Sequence, residues 1–180
     1  NTKQHSSRSL LRGIKVSNIY ISINAVSRNE AVYLNESDHI TISHSNLTGD
    51  STKLQSFSGI LIYKSSHVKI DHTKIARYGA SRAHTHSYQP GTGVRILSAN
   101  NVSIEHSHFE RNGENGVFMH GCSDVSIKES FFYHNGMSAI QVAFGSAGVE
   151  KNYNFVNNTM EYNSADCIDI NNRSPRDFLN

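Results

Sequence analysis

Side chains able to bind and protonate a sugar acid cluster around one strand-like segment, Gly93-Val94-Arg95-Ile96. Removing a proton beside a sugar carboxylate requires a cation to neutralise that carboxylate, a base, and a donor for the leaving oxygen. Arginine, histidine and tyrosine together supply these three properties. We therefore predict a catalytic set that consists of Arg95, His120, His84, His86 and Tyr88.

Acidic side chains offer a second kind of chemistry, because paired carboxyl groups serve as acid and base in glycoside hydrolysis. Glu110 and Glu161 occupy the same position in two segments of similar sequence, with Tyr133 at that position between them. If such segments stack about 4.8 Å apart, these carboxyl groups lie about 9–10 Å apart, at the upper edge of the inverting-enzyme range. The alternative hydrolase acids are Asp166, Asp169, Glu110 and Glu161.

Histidine is abundant, with 11 residues, and this abundance invites a metal interpretation. His44, His72 and His106 fall at the same position of successive segments, which predicts a ladder of rings along a turn. A zinc site requires three or four converging ligands with supporting partners. We interpret the ladder as structural, and we predict no metal ligands and no cofactor.

The elements that must position these residues form an internal repeat. A small residue followed by alternating apolar residues begins at positions 31, 59, 93, 116, 139 and 167, with separations of 28, 34, 23, 23 and 28 residues. A second alternating segment follows, as in 39–42, and we assign 18–21 to the same element one repeat earlier. A third apolar point comes at Leu47, Ile75, Phe109, Phe132 and Met160.

Three short alternating segments per repeat indicate three short strands with one buried face. Each segment resembles its counterpart one repeat away, which predicts stacked coils with parallel pairing. We therefore predict an all-β solenoid of about six coils, with three short strands per coil. Residues 1–12 are expected to form a lead-in or a cap remnant, 13–172 the solenoid, and 173–180 a further coil or tail of a longer protein.

This repeat over residues 13–172 resembles the right-handed parallel β-helix of the pectate-lyase-like superfamily. The superfamily holds lyases, hydrolases, epimerases, phage tailspikes and adhesins, so the resemblance implies a fold without fixing an activity. It also implies that a lyase of this fold would use arginine or lysine together with histidine or tyrosine. The segment 166–170, Asp-Cys-Ile-Asp-Ile, looks partly like the Asp-Asp-Cys-Ile segment of polygalacturonases, whose Gly-His-Gly motif is absent here.

The predicted stacking arranges outward-facing side chains of successive coils in columns. One column contains Tyr33, Leu61, Arg95, Phe118, Gln141 and Asp169, and the next contains Asn35, Tyr63, Leu97, His120, Ala143 and Asn171. Such apolar faces flanked by polar groups suit stacking on sugar rings, and equally suit burial under a loop or a partner chain. The predicted substrate-binding residues are Arg82, Phe118, Gln141, Asp169, Asn171 and Tyr63.

The composition narrows the choice of partners. A net charge of +2, from 17 basic and 15 acidic residues, argues against a nucleic-acid partner. The sequence contains no apolar run long enough to cross a bilayer, so we expect no membrane insertion. A polysaccharide or oligosaccharide is the expected partner, and a homotrimer is one expected assembly.

The sequence thus predicts a protein that binds, and degrades, an acidic uronate-containing polysaccharide by β-elimination or a related chemistry at C5. The expected location is extracellular, on a cell surface or on a phage virion. The first alternative is a non-catalytic, trimeric tailspike or adhesin segment. The second is a glycoside hydrolase of the polygalacturonase-like type.

Overall fold

A computed structural model describes residues 13–17, 20–22, 30–49, 58–79, 91–143 and 150–171. Within these ranges the regular structure is β-strand alone. No helix there is long and apolar enough to cross a membrane.

The described residues contain eighteen strands, which form three parallel sheets with one strand from every coil in each sheet. The first sheet contains β1 (Lys15–Ser17), β4 (Asp38–Ser43), β7 (Ser66–Asp71), β10 (Asn100–Glu105), β13 (Ser123–Lys128) and β16 (Lys151–Val156). The second contains β2 (Tyr20–Ser22), β5 (Asn46–Thr48), β8 (Lys74–Ala76), β11 (His108–Glu110), β14 (Phe131–Tyr133) and β17 (Thr159–Glu161). The third contains β3 (Val32–Asn35), β6 (Ile60–Tyr63), β9 (Val94–Leu97), β12 (Val117–His120), β15 (Ile140–Ala143) and β18 (Ile168–Asn171). The predicted all-β solenoid of six coils is confirmed.

The assignment of residues 18–21 to the first sheet was wrong. Tyr20–Ser22 pairs with Asn46–Thr48 in the second sheet, and Lys15–Ser17 pairs with Thr41–Ser43 in the first. The alternation Asn-Ile-Tyr-Ile resembles that of residues 39–42 locally. Which sheet a strand joins depends instead on how many residues separate its inward-facing positions from those of the preceding strand. Comparing four residues with four others gives no information about that separation.

The core is a stack of like residues from successive coils. Phe109 and Phe132 are fully buried one coil apart, and their rings stack with centroids 4.7 Å apart. This stack explains why glycine precedes β9 and β12 in the third sheet. A Cβ atom added at Gly116 would lie 2.5 Å from the Phe132 ring and 2.7 Å from the Ala139 carbonyl oxygen.

Polar side chains inside the turns complete the hydrogen bonding between coils. Between the second and third sheets, the Asn112 side-chain amide donates to Asn135 Oδ1 at 3.0 Å, and the Asn135 amide donates to Asn163 Oδ1 at 2.8 Å. Between the first and second sheets, the backbone N–H of Thr73 donates to Ser107 Oγ. These ladders hold the coils in register, and with them the outward columns.

Candidate functional site

The outer face of the third sheet contains the column predicted to bind substrate. Arg95 pairs with Phe118, Phe118 with Gln141, and Gln141 with Asp169 in the parallel register. At about 4.8 Å per coil, the column from Arg95 to Asp169 extends over about 14 Å. Arg95, Phe118 and Asp169 are half-buried and reach the outer face, whereas Gln141, which was predicted to bind substrate there, is buried.

Arg95 lies over the neighbouring aromatic ring. Its guanidinium carbon is 4.9 Å from the centroid of Phe118, within cation–π distance. Burial lowers the pKa of Arg95, while the charges of Glu114 and Glu30 act in the opposite direction. Because arginine stays charged in proteins, the site retains a positively charged, half-buried group.

A hydrogen-bonded chain orients the carboxylate at the far end of the column. The Asn115 amide donates to Gln141 Oε1 at 2.9 Å, and the Gln141 amide donates to Asp169 Oδ2 at 2.7 Å. Asn115 Oδ1 also accepts the backbone N–H of Ser138. The buried side chain of Gln141 thus connects a turn of the fourth coil to the half-buried Asp169.

Glu114 lies near enough to Arg95 for the two charges to affect each other, and it is not among the residues predicted from the sequence. It lies in the turn before β12, is only 4% exposed, and accepts a hydrogen bond from the Thr92 hydroxyl at 2.6 Å. Burial raises the pKa of its carboxyl, and the hydrogen bond from Thr92 and the charge of Arg95 oppose that rise. A glutamate between turn glycines is typical of a solvated loop, so nothing in the local sequence signals its burial.

Replacing Glu114 with glutamine should remove part of the pH dependence of stability. Since burial raises this pKa above its ordinary value of 4.5, the stability linked to the neutral carboxyl is present below pH 4.5 and is lost as the pH rises through the folded-state pKa. Chemical denaturation between about pH 4 and pH 8 should show the wild type losing free energy of unfolding relative to the variant.

A Glu110→Gln variant is the matched control with the opposite sign. The hydrogen bond from Lys74 lowers the pKa of Glu110 from 4.5, so its stabilising effect is present above pH 4.5 and is lost as the pH falls toward the folded-state pKa. For this variant the denaturation series is extended down to about pH 2. A Glu114→Gln difference with the same sign as the Glu110→Gln difference would contradict the raised pKa of Glu114.

His120 belongs to the second outward column of the third sheet. It lies one coil from Leu97 and two residues after Phe118, so it lies diagonally from Arg95. Its Nδ1 is 3.1 Å from the carbonyl oxygen of Ala143, which can only accept a hydrogen bond. When Nδ1 carries the proton, Nε2 of the neutral ring has a free lone pair and can serve as a base.

The remaining predicted binding residues occupy the same face. Tyr63 is half-buried with the Lys64 ammonium 5.1 Å from its ring centroid, and Asn171 is exposed at the end of the second column. Arg82, His84, His86 and Tyr88 lie outside the described residues, and their roles stay predictions.

The alternative hydrolase acids lie on two different sheets. Glu110 and Glu161 occupy one column of the second sheet with Tyr133 between them, as the repeat predicts. Glu110 forms ion pairs of 2.7 Å with both Lys74 and Arg111, and its lowered pKa is unfavourable for a general acid.

Asp166 and Asp169 belong instead to the sixth coil, in the turn before β18 and in β18 of the third sheet. Asp166 is an exposed turn residue, and Asp169 is bonded to Gln141. The two acidic pairs therefore represent separate hypothetical sites.

Comparisons with known proteins agree with the described architecture. The model of a family described as "right handed beta helix region" matches residues 4–179. A double mutant of the periplasmic alginate epimerase AlgG is similar in structure, with a TM-score of 0.54 and 11% identity over 89% of this chain and 37% of that chain. Another AlgG structure has a TM-score of 0.49 and 11% identity over 92% of this chain and 44% of that one.

This chain therefore spans less than half the length of either similar structure. No curated protein gives a significant match. At such low identity, the similarity to the AlgG double mutant shows a shared fold and nothing about activity.

Proposed function

The chain belongs to the right-handed β-helix family, and we propose that the outer face of its third sheet binds an acidic polysaccharide. The column of Arg95, Phe118, Gln141 and Asp169 supports this most directly. An aromatic ring below a guanidinium offers a sugar both a stacking surface and a partner for its carboxylate. A chain of sugars running along the stacking axis would contact Arg95, Phe118 and Asp169, with the buried Gln141 orienting Asp169.

Proton abstraction at C5 of a uronate is the proposed chemistry. Arg95 neutralises the carboxylate and so stabilises the charge that develops when the C5–H bond breaks. His120 accepts that proton at Nε2. In β-elimination the C4–O bond then breaks, a C4=C5 double bond forms and the leaving oxygen takes a proton; in epimerisation a proton returns to the opposite face of C5.

Two features support a uronate ahead of a neutral sugar. Arg95 is a half-buried cation on this face, and its guanidinium can form a charge-assisted hydrogen bond with a sugar carboxylate. A similarly folded protein is a periplasmic alginate epimerase, so alginate is a sensible first substrate. An extracellular or periplasmic location fits a polysaccharide partner, and both belong to the proposal.

A non-catalytic role is the second candidate, favoured by one observation. Tyr33, in the same column, is 54% exposed, and the half-buried Leu61 lies beside it. Such an apolar face also suits packing against sister chains in a trimer. The mass of the particle in solution, measured by light scattering, separates a monomer with an open face from a trimer.

The first test is incubation of the purified chain with alginate, polygalacturonate and a neutral glucan. Near-ultraviolet absorbance that rises together with reducing ends identifies elimination. Deuterium incorporation at C5 in heavy water, without new reducing ends, identifies epimerisation. Reducing ends alone favour the hydrolase alternative, and the absence of turnover and of binding for both acidic polymers would contradict the proposed function.

A further inference from the structure

A carboxylate and two imidazoles converge at the turn between the first and second sheets. Asp71 ends β7, His72 follows it, and His106 occupies the same turn one coil later. Asp71 Oδ1 is 2.9 Å from His72 Nδ1 and 3.0 Å from His106 Nδ1. All three donor atoms lie within 4.8 Å of one another, and we call this group the Asp71 triad.

Backbone geometry produces this convergence. His44, His72 and His106 have φ values of 48°, 46° and 46°, the left-handed conformation that histidine tolerates better than most residues. Repetition of the turn stacks their rings, with centroids 5.0 Å apart between His44 and His72 and 4.5 Å between His72 and His106. The predicted ladder is therefore present, and Asp71 adds a carboxylate to it.

The donor types and spacings suit a transition metal. Imidazole nitrogen and carboxylate oxygen are ligands that zinc, copper and nickel accept. With bonds of about 2.0–2.1 Å, neighbouring ligand atoms around a tetrahedral ion lie about 3.3 Å apart. The observed distances from Asp71 Oδ1 to the Nδ1 atoms of His72 and His106, 2.9 Å and 3.0 Å, are within a few tenths of an ångström of that ligand–ligand distance.

A further carboxylate fixes the ring of His106. Its Nε2 lies 3.1 Å from Glu129 Oε2, at the next position of the same turn. A histidine that ligates a metal commonly donates its other ring N–H to a carboxylate, which orients the ring and raises its basicity. Without a metal, Nδ1 of His106 donates to Asp71 Oδ1; a metal would displace that proton, and with the other proton on Nε2 the lone pair of Nδ1 would become a ligand.

A second group on the same sheet provides an internal comparison. Asp38, His39 and His67, the Asp38 triad, repeat the pattern of an aspartate followed by a left-handed histidine, with another histidine one coil later. Here the nitrogens contact different oxygens: His39 Nδ1 lies 2.8 Å from Oδ2, and His67 Nδ1 lies 2.9 Å from Oδ1. The Ser66 hydroxyl also donates to Oδ1, and the next residue of this ladder is Asn101.

We propose that the Asp71 triad binds one divalent transition-metal ion of the zinc class, with Asp71, His72 and His106 as ligands and Glu129 orienting His106. One oxygen facing both nitrogens distinguishes it from the Asp38 triad. Lys69 is held on Glu105 at 2.9 Å and stays 3.8 Å from the other Asp71 oxygen, so Oδ1 remains available. The Asp71 triad lies at the end of the first sheet, whereas the proposed polysaccharide face is on the third sheet. A test of metal binding is therefore independent of the proposed function.

Calorimetric titration of the full chain, without a polyhistidine tag, with Zn²⁺ tests the site. We expect one high-affinity ion per chain. His72→Asn/His106→Asn should abolish that binding, and Glu129→Gln should weaken it about 10-fold or more. Asparagine is chosen as the replacement so that the backbone is not strained. It tolerates a left-handed φ, and it already occupies the equivalent turn position, 157, in a later coil.

The matched control is His39→Asn/His67→Asn, which removes the same residue types from the Asp38 triad and should leave the zinc affinity unchanged. Circular dichroism establishes that each variant is folded, and Co²⁺ absorption in the visible range reports the ligand set. Absence of zinc binding by the wild type, zinc binding that survives His72→Asn/His106→Asn, or zinc binding lost in the control pair would each overturn the proposal.

Discussion

Replacing Arg95 with alanine should lower kcat/KM on the acidic polysaccharide about 100- to 1,000-fold, the loss typical of removing one group that stabilises developing charge. Removal of the C5 proton places a second negative charge on the uronate carboxylate in the transition state. Arg95 is the cation proposed to stabilise that charge, and alanine removes it. Initial rates with the polymer that the wild type turns over provide the measurement. If the wild type binds without turnover, the same substitution should weaken binding about 10-fold or more.

Lys151→Ala is the matched control, because Lys151 is an exposed cation on the first sheet. It should leave kcat/KM unchanged. Thermal unfolding of both variants separates loss of the site from loss of the fold, since Arg95 also lies over Phe118. Equal activity of Arg95→Ala and wild type would remove Arg95 from the site.

Replacing Asn135 with alanine should lower the free energy of unfolding by about 3–4 kcal/mol. Asn135 is fully buried, and its Oδ1 accepts both the backbone N–H and the side-chain amide of Asn112. Its own amide donates to the Phe109 carbonyl and to Asn163. Alanine leaves these buried groups without their partners. Urea denaturation followed by circular dichroism measures the loss.

Asn163→Ala is the corresponding change at the last observed position of the ladder. Asn163 is half-buried, so water can satisfy the groups that lose their partner, and we expect about half the loss or less. If both variants lose a similar free energy of unfolding, then burial does not explain how much the Asn135 hydrogen bonds contribute to stability.

The stacking pattern was visible in the sequence because a solenoid repeats its physical environment at every coil. Inward positions such as Ile62, Ile96 and Met119 must all be apolar, since each packs against its counterpart one coil away. That requirement predicted six coils and the outward columns. The repeat positions that it defines also placed His44, His72 and His106 in one ladder. It failed for residues 18–21, where local alternation did not specify which sheet the strand joins.

Repeat spacing was therefore sufficient to predict the coil, the column that contains Arg95 and Phe118, and the position of Gln141 beside Asp169, because strand register follows directly from that spacing. Two features became visible only in the folded chain: the burial of Glu114, and the convergence of Asp71 with His72 and His106. Burial of a turn residue depends on how neighbouring coils close over it. The direction of a side chain at a left-handed corner depends on backbone angles, so the repeat predicts that His72 and His106 stack but not that both rings face the same oxygen of Asp71.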